Sequence, residues 1–255
     1  MKNILLLYLT LVLSSCSISE YYQVYKTTNE SGTIANNEIV LEDQNCIIAY
    51  NLWAEGGDVG FTLYNKTENE LVLDLKRCFF VLNGTSYTYF QNRTFSKSTN
   101  IGGLGTVQTY PYNYLNWMTT KTITTSSRSL SASYGELSEI IIPAKTKKTI
   151  NEFNVSSSRY INCDLPKYPS KNKIKTLKFE KSNSPFVFYN LVTYRMKNEE
   201  LKLENKFYVS EITNYPKKEI ITRKFTTECG TRLEKPEEVF REVSPNKFYL
   251  HYSEE

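Results

Sequence analysis

Along much of the chain, apolar and polar residues alternate one by one, the two-residue period of a half-buried strand. Val59, Phe61 and Leu63 fall on one face of one such segment. Leu71, Leu73 and Leu75 fall on one face of the next, with Asp74 turned the other way. The pattern predicts that these two strands form a hairpin around the polar turn Asn65-Lys66-Thr67-Glu68-Asn69. Upstream, CIIAYNLWA (46–54) predicts another strand, joined to Val59 through Glu55-Gly56-Gly57-Asp58. Glycines there supply the positive φ that tight turns require. Cys78 to Leu82 runs into Asn83-Gly84, the strongest short hairpin signal, and then into Thr85 to Phe90. Further strands are predicted at 174–179, 186–196, 207–212, 219–225 and 247–252. One short helix is predicted over 236–242, where Pro236 opens the run and Glu237 and Glu238 sit in its first turn. The first five strands follow one another with no helix between them. That order predicts an all-β, antiparallel sandwich, with at most one short helix, rather than a parallel sheet.

Composition agrees with this pattern. Twenty tyrosines and thirteen phenylalanines suit pleated, half-buried surfaces. The pattern lapses over 94–133, where about two-fifths of the residues are Ser or Thr. A long insertion is therefore expected at about 94–135. The strands on either side give a sandwich over 38–165. Pro166 and Pro169 mark the best boundary, and 166–255 is expected either to pack on the first part or to form a second β half. The formal charge of +4 on 255 residues is too weak a field for nucleic acid. Lys171, Lys173 and Lys175 share one face if the segment is extended, which reads as a solvated strand surface.

The first fifteen residues have the parts of an export signal: Lys2, an apolar run from Ile4 to Leu13, then Ser14 and Ser15. An apolar run of about ten residues is half of what a spanning helix needs. Leu13-Ser14-Ser15-Cys16 resembles the lipobox of bacterial lipoproteins. The resemblance implies cleavage after residue 15, a diacylglycerol thioether on Cys16 and two or three acyl chains holding the protein on a membrane. Residues 16–37 then read as anchor and N-terminal segment. The runs FTLYNKTENELVLDL, FFVLNG, IIIPAKTKK, PFVFYNLVTY and KFYVSEITNY resemble the immunoglobulin-like β-sandwich ectodomains of uncharacterised Bacteroidota-type lipoproteins. This likeness implies an immunoglobulin-like sandwich on the outer membrane, facing the periplasm or the exterior. Surface-exported members carry several acids just after the cysteine, whereas Ser17-Ile18-Ser19-Glu20 has one.

With Cys16 lipidated, Cys46, Cys78, Cys163 and Cys229 remain, an even number in an oxidising compartment. The pairs Cys46 with Cys78 and Cys163 with Cys229 are the candidate disulfides. The alternative for Cys46 and Cys78 is that they are small buried hydrophobes. No CxxC occurs and His251 is the only histidine, so neither a zinc site nor any other cofactor is expected. No GxSxG, HExxH or phosphate-cradling glycine loop occurs either. Twenty-three glutamates leave a carboxylate-dependent envelope hydrolase as the alternative function, although the sequence singles out no pair. The preferred reading is a non-catalytic module for binding or scaffolding, with a glycan or an envelope protein as partner. One stretch suits such a partner. If extended, Tyr110, Tyr112 and Tyr114 share a face and Trp117 follows, a candidate aromatic platform that could equally pack the insertion on the sandwich.

Overall fold

The computed structural model describes residues 19–100 and 129–254, apart from 198, 226, 230, 233 and 234. The described chain is nearly all strand, arranged as antiparallel sheets. Nine strands form the larger sheet: β1 (Glu20–Asn29), β6 (Leu71–Asp74), β7 (Phe79–Leu82), β8 (Thr85–Thr88), β11 (Glu139–Ile142), β13 (Thr176–Lys178), β14 (Val187–Met196), β15 (Glu199–Pro216) and β20 (Lys247–Ser253). Its main order is β11-β6-β14-β15-β1-β20. Five form the smaller sheet, in the order β12-β5-β4-β3-β2: β2 (Thr33–Ala35), β3 (Glu38–Glu42), β4 (Cys46–Tyr50), β5 (Phe61–Asn65) and β12 (Lys147–Ile150). Three two-stranded ribbons complete the described part of the chain. They pair β9 (Thr94–Asn100) with β10 (Ser129–Gly135), β16 (Ile221–Lys224) with β19 (Glu237–Phe240), and β17 (Thr227–Glu228) with β18 (Thr231–Arg232). Among the described residues the one α-helical turn, α1, is Lys217–Ile220.

The core lies between the two large faces. Ile48, Tyr50, Phe61 and Leu63 from the smaller sheet meet Leu73, Phe188, Val192 and Phe207 from the larger, all buried. Burying each such side chain contributes about 1.5–3 kcal/mol relative to leaving it in water. Tyr25 and Phe248 stack at 4.4 Å, and Gly57 lies against the Phe248 ring. A Cβ at Gly57 would fall 2.8 Å from the Phe248 ring, and its φ of +77° is one that other residues rarely adopt. Gly57 is therefore fixed by both space and backbone. Asn83-Gly84, with φ of +49° and +83°, makes the tight β7–β8 turn that the sequence predicts.

Three expectations give way. The strands around 65–69 do not pair with each other. β5 belongs to the smaller sheet and β6 to the larger, so the turn is an arch between sheets. Asn65 sets that arch, because its buried amide donates to the carbonyls of Asn69, Ile142 and Pro143 at 2.7, 3.0 and 3.1 Å. Its oxygen accepts from the Thr67 amide at 2.9 Å. Second, the helix expected over 236–242 is strand β19. Val239 and Phe240 pair with Thr222 and Ile221, and the Phe240 ring packs on Trp53, Tyr22 and Tyr249, which outweighs the helix-start signal. Third, Lys171–Lys173 is a 3-10 turn, so the lysines of that region share no strand face.

The candidate disulfides are not formed either. All four cysteines are free thiols, Cys46 and Cys78 buried, Cys163 and Cys229 exposed. Cys46 faces inward from the smaller sheet. The Cys78 sulfur instead accepts from the Thr193 amide of the larger sheet at 3.3 Å. Cys46 and Cys78 thus behave as small core residues.

Candidate functional site

Cys16 and the residues Tyr110, Tyr112, Tyr114 and Trp117 all lie outside the described residues. Those described form a hollow that the sequence did not point to. It is a cleft of about 960 Å³ at the end of the larger sheet where β1 begins. Register builds this end. Glu20 pairs with Ser253 of β20, and Tyr21 pairs with Pro216 of β15. Pro216 ends β15 and caps α1, which turns the chain outward so that Lys217, Lys218 and Glu219 enter the cleft wall. The β16–β19 ribbon adds Arg223 and Glu238, with Arg241 following, and the turn at Ser170 and Lys171 closes the opposite side.

Its electrostatics centre on Lys217. The Nζ lies 3.0 Å from Glu20 Oε2 and 2.7 Å from Glu238 Oε2, bridging β1 to β19. Hydrogen bonds to Glu238, and then to Glu20, raise the Lys217 ammonium above its usual range. The same contact holds the Glu238 carboxyl below the usual glutamate value. Arg223 reaches Glu238 at 3.5 Å, Lys171 reaches Glu219 at 3.4 Å, and His251 Nε2 lies 3.5 Å from Glu20. Arg241 donates from Nη2 to the Lys218 carbonyl at 3.1 Å, and its amide donates to the Ile220 carbonyl at 2.9 Å. Arg241 and Lys218 are thereby neighbours, and among the described residues neither carries a carboxylate partner.

Aromatic rings flank the cleft on both faces of the sheet. Tyr21, Tyr168 and Tyr252 cluster on one face, with the Arg159 guanidinium 4.2 Å from the Tyr252 ring centre. Trp53, Phe240 and Tyr249 pack on the other beside Tyr22 and His251. Trp53 therefore ties the β16–β19 ribbon to the sheet. A second, smaller hollow of about 480 Å³ lies on the outer face of the smaller sheet, floored by Ala49 and Thr62 with Tyr64 at its side.

Two carboxylates converging in a cleft are the minimum a glycosidase needs. Glu20 and Glu238 do converge, but on an ammonium. A general acid must be held protonated near neutrality, which takes a raised pKa, and Glu238 is shifted the other way. Among the described residues no group of three or more His, Cys, Asp or Glu side chains could hold a metal ion. No described helix is long and apolar enough to cross a membrane. No protein-family model, curated protein or solved structure matches the chain.

Proposed function

We propose that the protein is a lipid-anchored envelope protein of the outer membrane whose sandwich, immunoglobulin-like in type, is a non-catalytic binding or scaffolding module. The observation that carries the non-catalytic reading is the pairing of all three carboxylates lining the cleft. Glu20, Glu219 and Glu238 each face a lysine at 3.4 Å or less. Such a cleft recognises by charge and shape, and it offers no free acid and base. The anchor reading rests on the lipobox residues Leu13-Ser14-Ser15-Cys16. A folded strand that begins at Glu20, only four positions after Cys16, is compatible with a short tether. The ligand class is a glycan or an envelope protein, with Tyr110, Tyr112, Tyr114 and Trp117 as the candidate contact set.

Feeding labelled palmitate to cells making the full chain tests the anchor. Wild-type chain is expected to carry label and to sediment with the membranes, and Cys16→Ala to lose both. Label retained on Cys16→Ala would sink the reading.

A further inference from the structure

The cleft at the start of β1 has more positive charge than its own carboxylates use. Its lining holds Lys171, Lys217, Lys218, Arg223 and Arg241 against Glu20, Glu219 and Glu238. Lys171, Lys217 and Arg223 take up the three carboxylates. Lys218 and Arg241 remain, both exposed and both in the cleft lining, with the Arg241 guanidinium hydrogen-bonded to the Lys218 backbone carbonyl. Two adjacent cations, one of them a planar fork, form the set that recognises a phosphate. Glu254, whose amide donates to the Ser19 carbonyl at 3.0 Å, has its side chain exposed and outside the cleft lining.

The place of this surplus gives the phosphate its source. Ser19 lines the cleft and lies three positions after Cys16. Three residues, however arranged, span at most about 11 Å. An acyl anchor at Cys16 thus brings the cleft to headgroup depth, where basic side chains are attracted to anionic lipid. The tyrosines beside it, Tyr21, Tyr168 and Tyr252, are of the type that favours the membrane–water interface.

We propose that this cleft seats the phosphate of an anionic phospholipid in the anchoring membrane, with Lys218 and Arg241 as its contacts, so that the sandwich docks on the bilayer by its β1 end. The proposal rests on the lipid anchor. Docking fixes the orientation of the module: the far end of the sandwich, away from the cleft, is presented to the partner.

Amine footprinting of the full acylated chain tests it. The chain is reconstituted in phosphatidylethanolamine–phosphatidylglycerol vesicles and, separately, in phosphatidylcholine vesicles. A water-soluble acylating reagent then reads each lysine. Lys218 is expected to react about fivefold more slowly in the anionic vesicles, with Lys148 on β12 unchanged. Arg241→Glu should return Lys218 to its phosphatidylcholine rate. Arg241→Gln, a milder change at an exposed site, should do so in part. Equal rates in the two vesicles, or slow labelling that survives Arg241→Glu, would overturn the proposal. Protection of Lys218 by soluble glycerol phosphate in the phosphatidylcholine vesicles, with none from the anionic vesicles alone, would assign the cleft to a free phosphate ester and equally overturn the membrane as occupant. A chain that neither carries palmitate nor pellets with the vesicles would remove the anchor reading and this one with it. A labelled, pelleting chain with an unprotected Lys218 removes this one alone.

Discussion

Asp43 joins pieces of chain that belong to different sheets. Its Oδ1 accepts from the amides of Asn45 and Cys46 at 2.7 and 2.6 Å, closing the β3–β4 turn. Its Oδ2 accepts from the buried Tyr194 hydroxyl of β14 at 2.7 Å. Burial alone would raise this carboxyl, but the hydrogen bonds from Tyr194, Cys46 and Asn45 outweigh it and leave the pKa below the usual aspartate value. A folded-state pKa below the unfolded one gives stability that is complete above the unfolded value of about 3.9. That stability is lost as pH falls through the folded value. Tyr194→Phe removes the only side-chain tie from β14 to Asp43. It should lower unfolding free energy by about 1.5–3 kcal/mol at pH 7, read by urea denaturation. The deficit relative to wild type should shrink below about pH 4, where the wild-type carboxylate is itself being protonated. A deficit that stayed constant down to pH 2 (about two units below the unfolded value) would refute this role.

Among the elements, the paired arches do most to convert one chain into two sheets. β5 crosses to β6 and β11 crosses to β12, while β5 pairs with β12 and β6 with β11, so each arch holds the other in register. Asn65 sits at the crossing and satisfies carbonyls from both arches. Asn65→Ala would leave buried carbonyls unpaired and should cost about 2–4 kcal/mol in urea denaturation. Asn65→Asp keeps the acceptor for Thr67 but loses the donor, and should recover only a small part of that. Strand positions here were legible because alternation shows which face is buried; Phe61, Leu63, Leu71 and Leu73 are all inward. Alternation does not show which sheet a strand joins, so an arch around 65–69 reads like a hairpin. β1 escaped the sequence reading for a related reason. Its inward face carries Gln23 and Thr27 beside Tyr25; Gln23 is satisfied through Tyr160 and Asn214 and Thr27 through the Asn246 carbonyl, long-range partners that no local pattern announces. The cleft was illegible because β1, the turn at Lys171, α1 and the β16–β19 ribbon meet there only through long-range register.

For the whole molecule, the four fold cysteines report on compactness. Burial, reinforced by Asp43, pushes the Cys46 thiol up to about 12, and burial does the same to Cys78. A thiol reagent at neutral pH should find Cys163 and Cys229 at once, and Cys46 and Cys78 only after denaturation. Four thiols that all stayed silent until reductant was added would show pairing instead. The larger sheet also sets an order of events. β1, the first strand of the fold, is held between β15 and β20, with Glu20 opposite Ser253 across almost the whole described chain. Loops of that length are slow to close, and rates fall as contacting residues lie farther apart in sequence. During synthesis β1 therefore waits with one edge open until β15 has emerged and the other open until β20 has. The larger sheet therefore closes around β1 late, and the unguarded interval of that strand lasts for as long as the chain between Glu20 and Ser253 takes to emerge.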